Sequence, residues 1–209
     1  MSDVKPDSAV TRELLQGISA SDASAFERLF ARHRAFIRRV IQVRLDAKLK
    51  ARVDPSDVVQ ETQLEALRRL PDYLARRPMP FRLWLIKTAH ERLIVARRRH
   101  VDAARRAVGR EEPLPDHSSL LVAGRLFATG PSPSQQLNRR ELAERVREAV
   151  SQLPEADREI LFLRTFEGLS NFEAAMVLEL DPGTASKRHG RAILRLHQIL
   201  KAGGLKDSP

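Results

Sequence analysis

The chain has 209 residues, of which 42% are hydrophobic and 31% are charged, and its net charge is +10. It contains no cysteine, which excludes disulfides and thiolate metal sites, and no apolar run reaches the roughly 18 residues that a transmembrane helix needs. The polar N-terminus has no signal-peptide core, so we expect a cytoplasmic protein without a membrane segment, and the positive charge favours an anionic partner.

The residue pattern predicts an all-α fold, because only 8 Phe, 1 Tyr and 1 Trp are present and few segments alternate with period two. Four prolines and three glycines in residues 108–134 predict a flexible linker between two small helical domains. The expected boundaries are a polar tail (1–23), a first domain (24–107), the linker (108–134), a second domain (135–203) and a C-terminal tail (204–209).

The excess charge is concentrated in the first domain. Residues 24–107 hold 21 basic and 9 acidic side chains, a net charge of +12, whereas residues 135–209 hold 12 and 11. The first predicted helix follows the apolar spacing of residues 26–41 and has a basic outer face. A first domain of this charge is a candidate for binding a polyanion such as nucleic acid.

The second predicted helix of this domain begins in "DPSDVVQETQLEALRRL" with Asp54 as N-cap and Pro55 at the first helical position. Acidic and amide side chains then share one region of the helix surface: Asp57, Gln60, Glu61 and Glu65. Spacing alone favours a capped helix with a solvated face. The alternative is an acidic docking surface, which is unexpected in a domain this basic.

The segment "PDYLARRPMP" has three prolines and is predicted to interrupt the helices. A long helix then begins at Phe81 in "FRLWLIKTAHERLIVARRRHVDAARR". Its many like charges would repel one another on a merely solvated face, and a polyanion would relieve that repulsion. We therefore interpret this helix as a nucleic-acid contact.

The second domain is predicted to contain a helix-turn-helix motif. Gly168 ends one helix, Ser170 and Glu173 form a capping box at the next, and "ELDPG" makes a turn. The helix after the turn would be the one that enters the major groove of DNA. Its exposed N-terminal turns carry polar and basic side chains: Thr184, Ser186, Lys187, Arg188 and Arg191.

Together these segments resemble bacterial RNA polymerase sigma factors of the extracytoplasmic-function (group IV) type in the sigma-70 family. "DPSDVVQETQLEALRRL" is similar to region 2.2 and "FRLWLIKTAHERLIVARRR" to regions 2.3 and 2.4. "LPEADREILFLRTFEGLSNFEAAMVLELDPGTASKRHGRAILRL" is similar to regions 4.1 and 4.2. The three motifs occur in the family's order and cover about residues 24–203.

The resemblance implies roles for the two domains and for their partners. The first domain would be sigma region 2, which binds the clamp helices of the largest subunit of core RNA polymerase through Asp54, Asp57, Gln60 and Glu61. It would also recognise the −10 promoter element, with a base captured in "PDYLARRPMP", through a basic and aromatic set: Arg76, Arg77, Trp84, Lys87, Arg92, Arg97, Arg98 and Arg99.

The second domain would be sigma region 4. The resemblance implies that it binds the polymerase flap and reads the −35 element of promoter DNA with the side chains from Thr184 to Arg191 named above. An anti-sigma factor is a further possible partner, and the family needs no cofactor. The implied function is recruitment of polymerase to promoters and DNA opening, without catalysis by the chain itself.

Four residues depart from the family pattern: Glu91 replaces a usual Asn, Glu179 a usual Gly, His189 a frequent Leu, and Gly190 lies inside the predicted recognition helix. Glu91 argues against direct DNA contact at that position, and His189 is expected to pack. Gly190 should cost roughly 1 kcal/mol of helix propensity relative to Ala. By residue type, Tyr73 and Trp84 favour packing over base stacking.

Three other functions remain as alternatives. A stand-alone helix-turn-helix regulator would bind specific duplex DNA tightly without polymerase. A basic helical RNA-binding protein would show no preference for promoter-spaced elements. An enzyme is disfavoured, because the six histidines form no HExxH pair and the sequence has neither a phosphate-binding glycine loop nor a Gly-x-Ser-x-Gly elbow.

Overall fold

The computed structural model describes residues 4–19, 22, 24–45, 52–106 and 133–203, which form helices and connections without a β-strand. The described residues divide into two compact units, residues 4–106 and residues 133–203. The all-α fold with two helical domains is thus confirmed. Most of the linker and the tail 204–209 lie outside the described residues. None of the described helices is long and apolar enough to cross a bilayer.

The described part of the N-terminal unit contains four helices: α1 (Ala9–Ser19), α2 (Ala25–Arg44), α3 (Pro55–Arg76) and α4 (Phe81–Arg106). Helix α2 packs against each of the other three, and α3 packs against α4. The core between them is apolar and partly aromatic, because each helix turns one apolar face inward. Phe30, Ile37, Ile41, Phe81 and Leu85 are among its fully buried side chains.

Helix α1 corrects the prediction of a polar tail over residues 1–23. Leu15 is buried, and Leu14 and Ile18 pack against the same core as α2. The apolar residues of "RELLQGI" recur at helical spacing, but the segment is short and its flanks are polar. Its helical state therefore depends on packing against α2, which sequence periodicity alone does not show.

The helices are interrupted within "PDYLARRPMP", as predicted, but only at residues 77–80, because helix α3 continues through Pro71. A proline inside a helix removes one backbone hydrogen bond. The buried side chains of Leu70 and Tyr73, on either side of Pro71, anchor the last turns of α3 to the core. The connection to α4 is thereby shortened to four residues, 77–80.

The C-terminal unit contains α5 (Pro133–Ser151), α6 (Glu155–Leu161), a π-helical turn (Phe162–Phe166), α7 (Asn171–Leu178) and α8 (Pro182–Ala202). Helix α8 packs against α5, α6 and α7. Val146, Ile160, Ala174, Ala192 and Leu196 are buried in this unit. Helices α7 and α8, joined by a tight turn, form the predicted helix-turn-helix.

The local signals of the C-terminal unit agree with the structure. Gly168 has φ = 65°, the left-handed conformation expected where the preceding helical segment ends. The Ser170 hydroxyl accepts from the Glu173 backbone N–H at 3.2 Å, and the Glu173 carboxylate accepts from the Ser170 N–H at 2.8 Å. The predicted capping box at the start of α7 is therefore confirmed.

Candidate functional site

Asp54 is the N-cap of α3, as its position before Pro55 predicts. Its carboxylate accepts a hydrogen bond from the Ser56 backbone N–H at 2.7 Å. This bond, together with one from the Ser56 side chain, lowers the pKa of Asp54. The carboxylate thus satisfies a backbone donor at the helix end, so the structure assigns Asp54 a capping role.

The outer face of α3, defined here by Asp57, Gln60, Glu61, Leu64 and Leu67, combines acidic, amide and apolar side chains. Asp57 and Gln60 are exposed and Glu61 is half-buried. Leu64 is 68% exposed and Leu67 47% exposed. Two leucines in solvent beside carboxylates form a surface suited to a protein partner, since apolar anchors ringed by polar groups are typical of interfaces.

The two leucines were not among the predicted site residues. Leu64 lies one helical turn after Gln60, and Leu67 lies three residues further, so both follow the polar residues around the same face. This spacing was a signal in the sequence. It was ambiguous, because leucines at helical spacing are more often buried in the core.

Glu65 lies one helical turn after Glu61 but is buried, and it is the centre of an ion-pair network. Its carboxylate accepts from the Arg68 guanidinium at 3.1 and 2.6 Å, pairs with Arg69 and lies 4.0 Å from Arg92 of α4. The Arg68 hydrogen bond is the main cause that lowers the pKa of Glu65 to about 2, and burial opposes it. Glu65 therefore belongs to the α3–α4 packing and not to the outer face.

Glu91 extends this network, because its carboxylate pairs with Arg69 at 2.5 Å. The departure from the family's usual Asn thus provides a second link between α3 and α4. Arg92, with a side chain only 21% exposed, faces Glu65. Arg92 stays a predicted DNA contact, although less of its side chain is exposed than that of Arg98 or Arg99.

The remaining cations of α4 differ in their availability. Arg97 donates to the backbone carbonyl of Arg44 at 2.5 Å, which links α4 to the end of α2, and its contact with DNA stays a prediction. Arg98 is exposed and Lys87 is half-buried. Arg99 is exposed and donates to Glu61 of the outer face of α3 at 3.1 Å. An exposed pair of this kind contributes little stability, so Arg99 can exchange partners.

Trp84 lies in an aromatic cluster and not on the surface. It is 8% exposed, and its ring centroid is 4.6 Å from that of Tyr73 and 5.5 Å from that of Phe81. This burial agrees with the packing role that its residue type favours, and its contact with DNA stays a prediction. The cluster instead supports the loop of residues 77–80, beside which Arg76 and Arg77 are both exposed.

In the C-terminal unit, Asp181 begins α8. Its carboxylate accepts from the Thr184 N–H at 3.0 Å, and the Asn171 side chain donates to the Pro182 carbonyl at 2.7 Å. The starts of α7 and α8 are thus joined. The first turns of α8 then present Thr184, Ser186 and Lys187 to solvent, with Arg188 half-buried.

Arg191 and Arg195, further along α8, bind the buried carboxylate of Asp157 on α6. Arg191 donates to Oδ1 at 3.0 Å and Arg195 donates to Oδ2. Burial raises the pKa of Asp157, but the two arginine hydrogen bonds outweigh it, so the pKa of this carboxyl is lowered. The Arg191 side chain stays 54% exposed. Asp157 therefore orients Arg191 without removing it from the surface.

The remaining departures from the family pattern occur in the helix-turn-helix. Glu179 ends α7 with φ = 54°, the left-handed conformation for which glycine is favoured. Gly190 is exposed, and a Cβ added to it would meet nothing within 4 Å. His189 is half-buried, and burial, with the nearby charge of Arg164, lowers its pKa.

Among the described residues, no group of three or more His, Asp or Glu side chains could hold a metal ion. The site that the structure does present is a pair of surfaces. One is the outer face of α3, and the other is the exposed part of α8 in the helix-turn-helix.

Comparison with known protein families identifies both units. Residues 29–102 match the model of Sigma-70 region 2, and residues 143–196 match that of Sigma-70 region 4. The chain belongs to the sigma-70 family. Its relatives place this sigma factor in the extracytoplasmic-function group.

Three curated relatives illustrate the similarity. The sigma factor CnrH of Cupriavidus metallidurans is 34% identical over 154 residues, which cover 73% of this chain and 76% of CnrH. The sigma-H factor of Pseudomonas aeruginosa is 29% identical over 186 residues (87% and 89%). SigD of Mycobacterium tuberculosis is 26% identical over 206 residues (97% and 91%). This sigma factor therefore resembles its relatives over most of their length.

Two solved structures share the fold. CnrH in complex with the cytosolic domain of CnrY has a TM-score of 0.58 and 24% identity, covering 95% of this chain and 99% of CnrH. RpoE of Bartonella quintana in complex with the anti-sigma factor NepR has a TM-score of 0.58 and 18% identity, covering 86% of this chain and 98% of RpoE. The sigma factor thus has the all-α architecture of these proteins.

Proposed function

We propose that this chain directs transcription initiation by binding core RNA polymerase through the outer face of α3 and recognising promoter DNA through both units. The observation that carries the proposal is the composition of the α3 face. It exposes Leu64 and Leu67 beside Asp57 and Glu61 in a domain of strongly positive charge. Such a face repels nucleic acid and attracts a protein surface with basic and apolar groups.

The exposed cations supply the DNA contacts of the proposal. In the N-terminal unit, Arg76 precedes the loop 77–80 and Arg77 begins it, and Arg98 and Arg99 are exposed on α4. These side chains suit phosphates of a −10 element whose strands have opened, and the short loop suits an unstacked base. Lys87, half-buried on α4, is retained as a weaker candidate.

The exposed side chains at the start of α8 suit the −35 element. Thr184, Ser186, Lys187, Arg188 and Arg191 offer hydroxyl, ammonium and guanidinium donors in the turns that a helix-turn-helix inserts into the major groove. Asp157 fixes the direction of Arg191, which lowers the entropic cost of using it. We assign these contacts to the recognition of a second promoter element.

The chain contributes no catalysis in this proposal, and it acts in the cytoplasm with the polymerase. An anti-sigma factor is a further proposed partner. The solved structure of RpoE contains the bound anti-sigma factor NepR, and that of CnrH contains the cytosolic domain of CnrY, which supports a protein partner of this kind for this chain. The outer face of α3 and the exposed surface of α8 are the areas that an inhibitor would need to block.

A transcription assay tests the proposal. The full chain is mixed with core polymerase and a promoter library, and the transcripts are sequenced. We expect new start sites preceded by two elements at fixed spacing. Start sites identical to those of core polymerase alone would contradict the proposal, and tight sequence-specific duplex binding without polymerase would favour a stand-alone regulator.

The α3 face is tested by Leu64→Ala. The substitution removes an exposed apolar contact and leaves the core untouched, so we expect core polymerase affinity to fall about tenfold, typical of an interface anchor. Val10→Ala is the matched control, because Val10 is an exposed aliphatic residue on α1. Equal affinities for the two variants, measured by equilibrium titration, would remove Leu64 from the interface.

A further inference from the structure

The start of α4 lacks a capping side chain of its own. Pro80 precedes Phe81, and its backbone carbonyl accepts from Leu83 and Trp84 at 3.0 and 3.1 Å. A proline side chain has no atom that can accept a hydrogen bond. The free N–H groups of the first helical turn therefore need an acceptor from elsewhere.

That acceptor is Asp7, which lies 74 residues earlier in the chain. Both of its carboxylate oxygens accept from the Phe81 backbone N–H, at 3.0 and 3.1 Å. A negative charge at this end of α4 is also favoured by the helix dipole. The N-cap that the local sequence omits is thus provided by the N-terminal segment.

Helix α1 holds Asp7 in place. Ser8, the next residue, accepts from the Thr11 N–H at 3.2 Å through its hydroxyl and so caps α1. Thr11 and Leu15 are buried against the unit. Since α1 packs on α2, the position of Asp7 relative to α4 is determined by tertiary packing and not by a flexible tail.

The loop of residues 77–80 is thereby fixed at both ends. At its start, the Arg77 N–H donates to the Tyr73 carbonyl at 2.7 Å, with Arg77 at φ = 39°. In its middle, the Tyr73 hydroxyl donates to the Met79 carbonyl at 3.1 Å. At its end, Asp7 binds the first residue of α4. A loop that receives a base must keep one backbone conformation although other conformations are open to it. These three hydrogen bonds restrict the loop to the conformation described.

We propose that Asp7 is a positioning residue for promoter opening: it holds the loop 77–80 and the first turn of α4 in the conformation that takes up the unpaired base. The inference rests on the proposed function of this loop. Asp7 touches neither polymerase nor DNA in this role. It acts through the backbone of Phe81 and through the aromatic cluster that Phe81 forms with Tyr73 and Trp84.

The charge of Asp7 suggests a different role, which the experiment separates. A carboxylate at the end of the loop 77–80 could instead repel DNA phosphates and restrain binding. A positioning role needs an acceptor atom at residue 7, whereas a repulsive role needs the negative charge. Asparagine keeps the acceptor and removes the charge, and it is a good N-cap residue.

The experiment uses the full chain with core polymerase on a promoter identified by the transcript sequencing described above. Asp7→Ala, Asp7→Asn and the control Glu13→Ala, an exposed acid on α1, are compared. Open complexes are measured by the reactivity of unpaired thymines in the −10 region, and core polymerase affinity by titration. The thermal unfolding of each variant is followed by the fluorescence of Trp84, which lies in the aromatic cluster beside the loop. The open-complex assay is then run at a temperature at which the variant is folded.

We expect Asp7→Ala to form about tenfold fewer open complexes at equal polymerase occupancy, while Asp7→Asn and Glu13→Ala stay within about twofold of the unchanged chain.

Three results would overturn the proposal. Folded Asp7→Ala could open DNA normally, it could lose polymerase affinity in parallel with DNA opening, or Asp7→Ala and Asp7→Asn could both open DNA more readily than the unchanged chain. If Asp7→Ala does not fold, normal opening by a folded Asp7→Asn supports the proposal and a tenfold loss overturns it. Failure of the unchanged chain to alter start sites refutes the proposed function itself.

Discussion

The two units differ in where the carboxylates that pair with their arginines lie: on the same helix in one unit and on another helix in the other. In the N-terminal unit, Glu65 binds Arg68 and Arg69, three and four residues later on the same helix. In the C-terminal unit, Asp157 of α6 binds Arg191 and Arg195, 34 and 38 residues later on α8. A pair within one helix forms without tertiary structure, whereas a pair between helices forms only when the unit folds. The second arrangement therefore contributes more to tertiary stability.

The largest effect is expected for Asp157→Asn. The substitution keeps the shape of a fully buried side chain but removes the charge that binds two arginines. Because both arginines are about half-exposed and regain water, we expect the C-terminal unit to lose about 2 kcal/mol of unfolding free energy and not the full cost of a buried pair. Urea unfolding followed by far-UV circular dichroism measures this loss.

Trp84 provides the internal control for that measurement. It is the only tryptophan in the sequence and lies in the N-terminal unit, so its fluorescence follows that unit alone. We expect the fluorescence transition of Asp157→Asn to match that of the unchanged chain. If the fluorescence transition moved to lower urea concentration by as much as the dichroism transition, the loss of stability would not be confined to the C-terminal unit.

A smaller effect, about 1 kcal/mol, is expected for Glu65→Gln in the N-terminal unit, since its closest pairs are local and Arg68 is largely exposed. The folded-state pKa of Glu65 is lowered from 4.5 to about 2. The stabilisation by Glu65 is therefore fully present above pH 4.5 and is lost as pH falls through about 2. Fluorescence-detected unfolding between these pH values measures it.

The variant itself supplies the comparison for the pH dependence. Glu65→Gln cannot titrate, so its stability should fall less steeply below pH 4.5 than that of the unchanged chain. Parallel slopes would mean that Glu65 is not the group responsible. The contribution of Asp157, whose pKa is also lowered, would then appear in dichroism and not in fluorescence.

The smallest effect is a gain of about 0.8 kcal/mol for Gly190→Ala, because alanine is the better helix former and the added Cβ meets no neighbour. The change leaves both arginine pairs of Asp157 intact. It therefore separates the backbone contribution to the stability of α8 from the contribution of the ion pairs. Gly17→Ala in α1 is the matched control, and it should shift the fluorescence transition instead. A loss of stability in Gly190→Ala would contradict the open surface at this position.

Local signals were sufficient to predict much of the fold. Asp54 with Pro55, Ser170 with Glu173, and Gly168 each act within one helical turn, so the residues that determine these helix ends are adjacent in the sequence. The all-α class and the helix-turn-helix follow from such signals together with apolar spacing. The family resemblance then indicated which exposed faces to consider as sites.

What could not be predicted depends on contacts between distant residues. Helix α1 needs the surface of α2, and α3 continues through Pro71 because its neighbours are anchored in the core. The availability of each arginine is of the same kind, since Arg92 faces Glu65 and Arg97 faces a backbone carbonyl of another helix. A cationic residue type indicates a possible DNA contact, but only the packing shows how much of the side chain is exposed and which groups already bind it.

The bond between Asp7 and Phe81 also has a consequence for the order in which the N-terminal unit can form on the ribosome. Phe81 follows Asp7 by 74 positions, which take about 4 to 15 s to synthesise. During that interval α1 can meet α2, but the acceptor at residue 7 has no donor to bind. The nascent unit thus closes late, when its last helix arrives, and the first residues made are among the last to reach their final contacts.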